Sequence, residues 1–347
     1  MRWIDSLQPE AEARLLPEVA EYYRMGAGAG ITLSESVAAW DAVRLRPHVL
    51  RDVTTVSTAT TLLGAQLSTP VLVASSTLQM QADPLGEAAI ASGVHAAGSM
   101  LTVSSNTGIP FTDIGAAGAP WWVQVYVLED RGRTRAMLER AVAGGASAAV
   151  VTVDTPIVGT RHFVGKQVWD VVPEVHLMGN WDLTGTTEAV NEKARDLTTA
   201  DIAWLADVTG IPVVVKGILR GDDARQAVDA GAAAVVVSNH GGRQLDQSVS
   251  TAQALPEVAE ALAGTPAAVT VDGGIRTGIH VLAALAMGAD AVWVGRPALW
   301  ALTVAGSDGV ARLVTDLTAE LVEAMMLCGA SRLDDLTTDL LAATRLA

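Results

Sequence analysis

Six segments of the chain share one pattern, in which a helix-like stretch ends in glycine and a run of valine and alanine follows at once. Glycine readily adopts the left-handed conformation that closes a helix. The runs that follow are continuously apolar instead of alternating, which is typical of parallel strands covered on both faces. These segments span residues 96–105, 143–154, 209–217, 230–242, 263–274 and 287–297.

Two further apolar runs, at residues 70–75 and 121–127, raise the number of predicted strands to eight. Segments with helical spacing separate them, for example residues 222–230 and 277–287. Eight strand–helix units with short turns predict an α/β fold, a closed (β/α)8 TIM barrel, with an open doubly wound sheet as the alternative.

The remaining segments are predicted to surround the barrel within a single domain covering residues 1–347. Residues 1–69 read as a helical N-terminal cover that ends in an extended piece, and residues 70–300 as the barrel. An insertion at about 160–200, after the fourth strand, contains two tryptophans and is predicted to form a lid, as long barrel loops often do. Residues 301–347 are predicted to form C-terminal helices packed on the barrel exterior.

Composition narrows the functional classes. The 23 basic and 38 acidic side chains leave a net charge of −15, which offers no basic footprint for nucleic acid or an anionic membrane. One cysteine excludes a disulfide framework and a multi-cysteine metal site, so no metal is expected. The N-terminus lacks the apolar stretch of a signal peptide, and no apolar run is long enough to span a bilayer. We therefore expect a soluble cytoplasmic protein.

Polar side chains are concentrated where the predicted strands end, which is where barrel enzymes place their chemistry. One polar strand end carries little information, whereas eight at the same level are difficult to explain as a solvated rim. These residues are Ser75, Ser76, Thr77, Thr102, Ser104, Ser105, Gln124, Tyr126, Thr152, Asp154, Lys216, Ser238, Asn239, His240, Asp272, Gly295 and Arg296.

The last two strand ends resemble a phosphate site. The pair Gly273–Gly274 permits close approach of the backbone to an anion, and Arg276 and Arg296 add positive charge. The loops after strands seven and eight are the usual phosphate site of such barrels. The alternative is a pair of tight turns with solvated arginines. We expect a ligand that carries a phosphate.

A general base is predicted at His240, one of six histidines. Asp154 lies at the same level two strands away and is a plausible partner, while Arg243 follows three residues later and can bind a carboxylate. Lys216 ends an apolar strand, where an unpaired ammonium is costly, so it should face an anion or act as a nucleophile. The GAGAG stretch at 26–30 follows a helical segment, which indicates a flexible turn and not a dinucleotide loop.

The segment SNHGGRQLD at 238–246 resembles the active-site signature of the FMN-dependent 2-hydroxy-acid oxidases and dehydrogenases, the family of glycolate oxidase, lactate oxidase and mandelate dehydrogenase. The similarity extends from about residue 17 to 335. Further matching segments occur in the same order along the chain: EYYRMGAGAGITLSES, PHVLRDVTTVSTATTLLG, QVYVLEDR, VTVDTPIVGTR, VVVKGIL, VDGGIRTG and VGRP.

The resemblance implies oxidation of an L-2-hydroxy acid to the 2-oxo acid. His240 would be the base, Asp154 would stabilise its protonated form, and Tyr126 would bind the substrate hydroxyl. Two routes stay open: His240 takes either the hydroxyl proton during hydride transfer or the carbon-bound proton. The electrons pass to FMN and then to O2 or another acceptor.

The resemblance also implies how the substrate carboxylate is held. Arg161 and Arg243 would grip it, and Tyr22 would donate a hydrogen bond to it. Asn106 stands where glycolate oxidase has a substrate-contacting tryptophan, which favours a roomier pocket and a substrate larger than glycolate or lactate. The insertion lacks the apolar basic segment that anchors mandelate dehydrogenase to membranes.

The same comparison implies the FMN contacts. Lys216 would lie beside the N1–O2 edge of the flavin, and Thr77 replaces a small residue near its N5 atom. The implied cofactor-binding set is Ser75, Ser76, Thr77, Ser104, Gln124, Thr152, Lys216, Ser238, Asp272, Gly273, Gly274, Arg276, Gly295 and Arg296. A homotetramer is implied by resemblance only.

Two other functions remain as alternatives. A phosphate-binding aldolase would use Lys216 as a Schiff base, but this leaves His240 and the two substrate arginines unexplained. A catalytically retired flavin-binding barrel would be expected to have lost such residues first. Bound flavin that no 2-hydroxy acid bleaches would indicate the retired barrel.

Overall fold

A computed structural model describes residues 2–182 and 192–342 of the chain. The N-terminal segment forms three helices, α1 (Trp3–Glu12), α2 (Pro17–Arg24) and α3 (Ile31–Asp41). An antiparallel hairpin of β1 (Thr60–Leu62) and β2 (Ala65–Leu67) follows them. Pro17 stands at the start of α2, where its missing N–H costs no hydrogen bond.

Eight parallel strands close into a barrel, which confirms the TIM-barrel prediction and excludes the open sheet. The last strand, β10 (Ala291–Val294), pairs with both β3 (Val71–Val73) and β9 (Ala268–Val271), so the sheet has no edge. All eight predicted runs contain a strand: β3 (Val71–Val73), β4 (Leu101–Ser104), β5 (Trp121–Val125), β6 (Ala149–Thr152), β7 (Val213–Ile218), β8 (Ala234–Val237), β9 (Ala268–Val271) and β10 (Ala291–Val294).

Helices follow the strands and cover the outside of the barrel. The two segments given as examples of helical spacing are helical: a helix over Gly221–Asp229 is displaced by one residue from the predicted 222–230, and one over Gly278–Ala286 is one residue shorter at each end than the predicted 277–287. The helices are α4 (Gln79–Ala82), α5 (Gly86–Ala96), α6 (Phe111–Ala116), α7 (Arg131–Ala143), α8 (Val175–Met178), α9 (Ala200–Thr209), α10 (Gly221–Asp229), α11 (Thr251–Ala261), α12 (Gly278–Ala286) and α13 (Arg296–Cys328), with short 3-10 turns at Val168–Asp170, Leu333–Asp335 and Thr338–Leu340.

Alternate strand residues fill two separate apolar clusters, because successive side chains of a strand point to opposite faces. The interior cluster includes Trp122 and Trp293, whose rings meet with centroids 5.2 Å apart although their strands are not neighbours. Leu62 and Leu67 of the hairpin belong to the same cluster, so the hairpin closes the amino-terminal end of the barrel. The other end is left for polar side chains.

The helix α13 is interrupted about one third of the way along its length. Ala305 and Gly306 depart from helical geometry, and Gly306 has a φ of 60°. The part that follows buries Val310, Leu313 and Leu317 and packs against α1 and α5, consistent with the predicted C-terminal helix on the barrel exterior. Among the described residues, no helix combines the length and apolar character needed to cross a bilayer.

The predicted insertion crosses the carboxyl end of the barrel toward α2. The amide of Val164 donates to Glu21 at 3.0 Å, and the ring of Trp169 meets that of Tyr22 edge-on at 5.3 Å. Lys193 forms an antiparallel bridge with Leu128. Residues 183–191 of the predicted insertion, and 343–347 of the predicted C-terminal segment, lie outside the described residues.

Candidate active site

A cavity of about 300 Å³ opens at the carboxyl end of the barrel. It lies beneath the N-terminal cover and the insertion, and nearly all predicted site residues line it. They are Tyr22, Ser75, Ser76, Thr77, Ser104, Asn106, Gln124, Tyr126, Thr152, Arg161, Lys216, His240, Arg243, Asp272, Gly273, Gly274, Arg276, Gly295 and Arg296.

Two predicted residues, Asp154 and Ser238, stand behind this lining and contact residues that form it. Asp154 accepts a hydrogen bond from His240, and the hydroxyl of Ser238 accepts one from Lys216 at 2.6 Å. The backbone N–H of His240 also donates to the Ser238 hydroxyl at 3.1 Å. Ser238 is fully buried behind the lining, and its predicted contact with the cofactor stays a prediction.

A left-handed turn presents the His240 ring. His240, Gly241 and Gly242 all have positive φ values, of 57°, 64° and 73°. A side chain on Gly242 would lie against the backbone of Leu33 in α3, so glycine lets the N-terminal cover approach the turn. The amide of Ala27 donates to the Gly242 carbonyl at 2.8 Å, which fixes the GAGAG turn against the site.

The two ring nitrogens of His240 have different partners. Nδ1 lies 2.9 Å from Oδ1 of Asp154, and Nε2 lies 3.5 Å from the hydroxyl of Tyr126 at the cavity surface. A carboxylate accepts only, so Nδ1 carries the proton and the Nε2 lone pair faces the cavity. Thr155 donates to the same Asp154 oxygen at 2.9 Å.

Electrostatics leave this pair as a neutral imidazole beside an ionised carboxylate. Burial lowers the pKa of His240 below its ordinary value; Asp154 opposes that effect, while Lys216 and Arg243 add to it. Burial acts to raise the pKa of Asp154, but interactions with His240, Lys216 and Thr155 outweigh it and hold the pKa at about 2. His240 is therefore able to accept a proton at neutral pH.

Tyr126 is arranged as a hydrogen-bond donor. Burial raises the pKa of its phenol, and the charge of Asp154 raises it further. The hydroxyl consequently keeps its proton across the physiological pH range. It lies within 3.5 Å of the His240 Nε2 atom, so a group bound between the two contacts both.

Two arginines lie close to the Tyr22 ring. The guanidinium carbon of Arg243 lies 4.6 Å from the ring centroid and that of Arg161 lies 5.4 Å away. Arg243 is anchored by hydrogen bonds to the carbonyls of Tyr22 and Met25, both 2.8 Å. The buried Nε of Arg161 has no hydrogen-bond partner among the described residues. The pair forms a site for a carboxylate.

Two further arginines, Arg276 and Arg296, line the cavity. Arg296 lies near Arg243, since both donate to the carbonyl of Met25, Arg296 at 3.4 Å. Arg296 donates to the carbonyls of Tyr23 and Gly241, and Arg276 lies 5.5 Å from the Trp300 ring centroid. Burial lowers the pKa of Arg276 to about 10 and that of Arg296 well below its usual range, where neighbouring arginines add to the effect. Within residues 2–182 and 192–342, neither arginine forms an ion pair with a carboxylate.

The backbone next to these arginines is shaped for close approach. Gly273 and Gly274 have φ values of 85° and 83°, and a side chain on Gly274 would collide with the carbonyl of Ser36. At Gly295, a Cβ atom would meet nothing within 4 Å and would point into open space. Uncompensated cations and bare backbone together form an anion site.

Lys216 is a buried, paired cation. Its Nζ atom lies 3.0 Å from Asp272 and donates to Ser238. Burial acts to lower the pKa of Lys216, but Asp272 and Asp154 outweigh it, and the pKa is raised. A permanently charged ammonium is not a nucleophile, which argues against the Schiff-base aldolase.

A row of buried polar side chains also lines the cavity. The Gln124 amide donates to Thr152 at 2.9 Å and accepts from Ser104 at 3.2 Å, which fixes its orientation. Thr77 donates to the carbonyl of Asn106 at 3.0 Å. In the described part of the chain, no group of His, Cys, Asp and Glu side chains is arranged to hold a metal ion.

Sequence reasoning missed several cavity residues, and two of them come from the insertion. Trp169 and Lys193 line the cavity, and the Lys193 Nζ atom lies 3.6 Å from the centroid of the Tyr126 ring. The segment has no periodicity that predicts which side chains face inward. The only available signal was its position after the fourth strand.

Comparison with known proteins agrees with the chemistry that these site residues suggest. A family model described as FMN-dependent dehydrogenase matches residues 11–343. The chain is 39% identical to an L-lactate oxidase of Nostoc sp. over 348 residues, covering 95% of each chain. It resembles the crystal structure of mandelate oxidase with (S)-2-phenylpropionate, with a TM-score of 0.88, 36% identity and 98% of both chains covered. A lactate oxidase structure of Pediococcus acidilactici gives a TM-score of 0.91 at 30% identity, covering 99% of this chain and 94% of that one.

Proposed function

The chain belongs to the family of FMN-dependent 2-hydroxy-acid oxidases and dehydrogenases, and we propose that it oxidises an L-2-hydroxy acid larger than lactate, with His240 as the base. FMN is the cofactor of this family. FMN-dependent oxidation of a 2-hydroxy acid follows from membership of this family. The substrate, the electron acceptor and the role of each residue are what we propose.

The cavity fits FMN on its own chemistry. Arg276 and Arg296 are cations without a carboxylate partner in the described chain, and the open space beside Gly295 leaves room for an anion at their end. The Ser104–Gln124–Thr152 row offers hydrogen bonds to a polar ring edge. We assign the phosphate to the arginine end, and the flavin ring to the row between it and Lys216.

The remaining part of the cavity takes the substrate. Arg161 and Arg243 bind its carboxylate, assisted by Tyr22, and the phenol of Tyr126 donates to its hydroxyl oxygen. Four fixed groups orient a small molecule whose Cα then faces the His240 Nε2 atom. Such positioning lowers the entropic barrier before any bond changes.

FMN, when bound, supplies the acceptor for the two electrons that leave the substrate Cα. The Nε2 atom of His240 takes a proton from the substrate, either from the hydroxyl or from the Cα. Asp154 stabilises the resulting imidazolium, and Lys216 places positive charge where the cofactor gains electrons. The second alternative, a catalytically retired barrel, would not require His240, Asp154 and Lys216 to be present together.

The observation that carries the proposal is the 2.9 Å contact between His240 Nδ1 and Asp154, with Nε2 turned toward the cavity and 3.5 Å from the Tyr126 hydroxyl. A structural histidine would use both nitrogens in the protein interior. Here one nitrogen is tied to a carboxylate, and the other faces a cavity that Tyr126, Arg161 and Arg243 also line. This arrangement is required of a base that acts on a carboxylate-bearing alcohol.

Substrate size is proposed from Asn106. This residue lines the cavity at the position where glycolate oxidase has a tryptophan, and an amide side chain leaves more room than an indole. A substrate with a side chain longer than a methyl group is therefore expected. Glycolate as the best of a panel of 2-hydroxy acids would contradict this part of the proposal.

We further propose that O2 reoxidises the cofactor, since the curated relatives named above are oxidases. A homotetrameric, cytoplasmic protein is proposed from family resemblance and from the net charge of −15. Sedimentation of the FMN-loaded protein tests the assembly, and fractionation of the source cells tests the location.

The test is anaerobic mixing of the FMN-loaded protein with both enantiomers of a 2-hydroxy-acid panel, followed by admission of air. The proposal predicts bleaching of the visible flavin absorbance by L-acids, and rapid return of colour with peroxide release in air. Slow return with a quinone-dependent recovery would replace O2 by another acceptor. Bound flavin that no acid bleaches would overturn the proposal.

A further inference from the structure

Lys193 is placed in the cavity by backbone pairing. The amide of Glu129 donates to the Glu192 carbonyl, and the amide of Ala194 donates to the Val127 carbonyl, both at 2.9 Å. This antiparallel bridge fixes Lys193 opposite Leu128, close behind the end of strand β5. Its ammonium then lies against the Tyr126 ring, 3.6 Å from the centroid.

The ammonium of Lys193 has no ion-pair partner within residues 2–182 and 192–342. Burial lowers the pKa of Lys193 to about 8; Asp154 raises it, and Arg161 lowers it. Asp154 is already engaged by His240, and Arg161 is a like charge. The side chain is therefore a largely protonated cation, and among the described residues its closest compensating contact is the π face of Tyr126.

Lys193 is not needed for the features that all 2-hydroxy acids share. Arg161, Arg243 and Tyr22 already suffice for the first carboxylate, and Tyr126 with His240 suffices for the hydroxyl. A further cation in a cavity that already holds the two substrate arginines costs repulsion and desolvation. An anionic group on the substrate would offset that cost.

We infer that Lys193 binds a second carboxylate on the substrate, so that the preferred substrates are short 2-hydroxy dicarboxylic acids. The inference rests on the proposed function and specifies its substrate class. The ammonium lies against the ring whose hydroxyl binds the substrate oxygen, so a linker of one or two methylene groups spans the interval. The amide of Asn106 replaces an apolar wall on the same cavity, which suits a polar side chain.

The rival role for Lys193 is to position Tyr126. A cation on the π face of the phenol restrains the ring and would affect every substrate equally. The two roles differ in what the substitution Lys193→Met does. Loss of a carboxylate partner changes selectivity between substrates, whereas loss of a restraint on Tyr126 lowers all rates in proportion.

The experiment compares matched pairs of substrates with the FMN-loaded protein. Malate is paired with 2-hydroxy-4-methylpentanoate, and 2-hydroxyglutarate with 2-hydroxy-5-methylhexanoate, because each apolar member replaces the distal carboxylate by an isopropyl group of similar shape. The measurement is kcat/KM from anaerobic bleaching. Lys166→Met is the control, since Lys166 is an exposed lysine of the same insertion and does not line the cavity.

The original protein should favour the dicarboxylate of at least one pair by about 10- to 100-fold, the effect of one charged hydrogen bond. Lys193→Met should abolish that preference, Lys193→Arg should retain much of it, and Lys166→Met should leave both members unchanged. Equal losses for both members in Lys193→Met would overturn the inference in favour of the positioning role.

The same experiment distinguishes failure of the inference about Lys193 from failure of the proposed function. If the apolar acids bleach the flavin and the dicarboxylates do not, the inference about Lys193 is wrong and the proposed function stands. If the flavin is bound and no 2-hydroxy acid bleaches it, the proposed function itself fails. Flavin content and melting temperature of each variant show that the fold is intact.

Discussion

Asp154 accepts the Nδ1 proton of His240 in a hydrogen bond, with 2.9 Å between Nδ1 and Oδ1. The Nε2 lone pair of His240 is thereby turned toward the cavity. Asp154 does not line the cavity, so it acts on the substrate only through His240. The carboxylate fixes both the ring orientation and the protonation state of the base. This relationship supports the first two predictions.

Asp154→Asn should reduce the rate of anaerobic flavin bleaching by about 100-fold or more, because the amide no longer stabilises the imidazolium and can select the other tautomer. FMN content should be retained. Thr155→Val is a milder control that removes a hydrogen bond to Asp154 and leaves its charge. Equal rates for Asp154→Asn and the original protein would show that His240 is not the base.

The pH dependence of kcat/KM follows from the lowered pKa of His240. The base must be neutral, so activity is present above this pKa and lost as the pH falls through it. We expect the acid limb of the profile at a pH below the ordinary imidazole pKa of about 6.5. In Asp154→Asn the limb should move to still lower pH, because Asp154 raises the pKa of His240. A shift to higher pH would contradict this assignment.

Substitutions of Arg161 and Arg243 should both weaken substrate binding but should differ in their effect on stability. Arg243 bonds two backbone carbonyls, so Arg243→Met should weaken substrate binding and also lower the melting temperature by a few degrees, since unsatisfied buried acceptors cost about 1–3 kcal/mol each. Arg161→Met should raise KM by about 100-fold without that loss, because its Nε has no partner in the described chain. Thermal unfolding together with KM checks both, and a comparable destabilisation by Arg161→Met would be unexpected.

The buried pair of Lys216 and Asp272 should behave as one unit. Lys216→Met leaves Asp272 as a buried unpaired charge and should cost about 3–5 kcal/mol of unfolding free energy. The double variant with Asp272→Asn should recover much of this, which a double-mutant cycle in denaturant measures. Additive losses would mean that the two side chains are not coupled.

Thr77 should influence reoxidation more than reduction. Its hydroxyl is engaged by the Asn106 carbonyl, so its bulk, and not a free polar group, faces the cavity. Thr77→Ala should speed the return of flavin colour in air several-fold with little change in bleaching, whereas Thr77→Val keeps the bulk and should not. Equal acceleration in both variants would instead assign the effect to the hydroxyl.

The barrel was predictable because its signals are local. Six glycine-terminated segments and two further apolar runs predicted all eight strands. Because the strand ends lie at the same end of the barrel, the sequence also predicted that His240, Lys216 and Arg296 lie together there. The position of Lys193 was not predictable, since it depends on a bridge to Leu128 across more than sixty residues of chain. For Ser238, the position at the end of a strand predicted a place in the site. Only the structure shows that its hydroxyl lies behind the cavity lining and accepts a hydrogen bond from Lys216.

The most direct test of the central claim is anaerobic flavin bleaching by L-2-hydroxy acids in the original protein and in His240→Gln. The account predicts that both proteins bind FMN, that the original protein is bleached by at least one L-acid, and that His240→Gln is bleached at least about 1000-fold more slowly. Bleaching of His240→Gln at the original rate, or an original protein that carries FMN and is bleached by none of the acids, would contradict it.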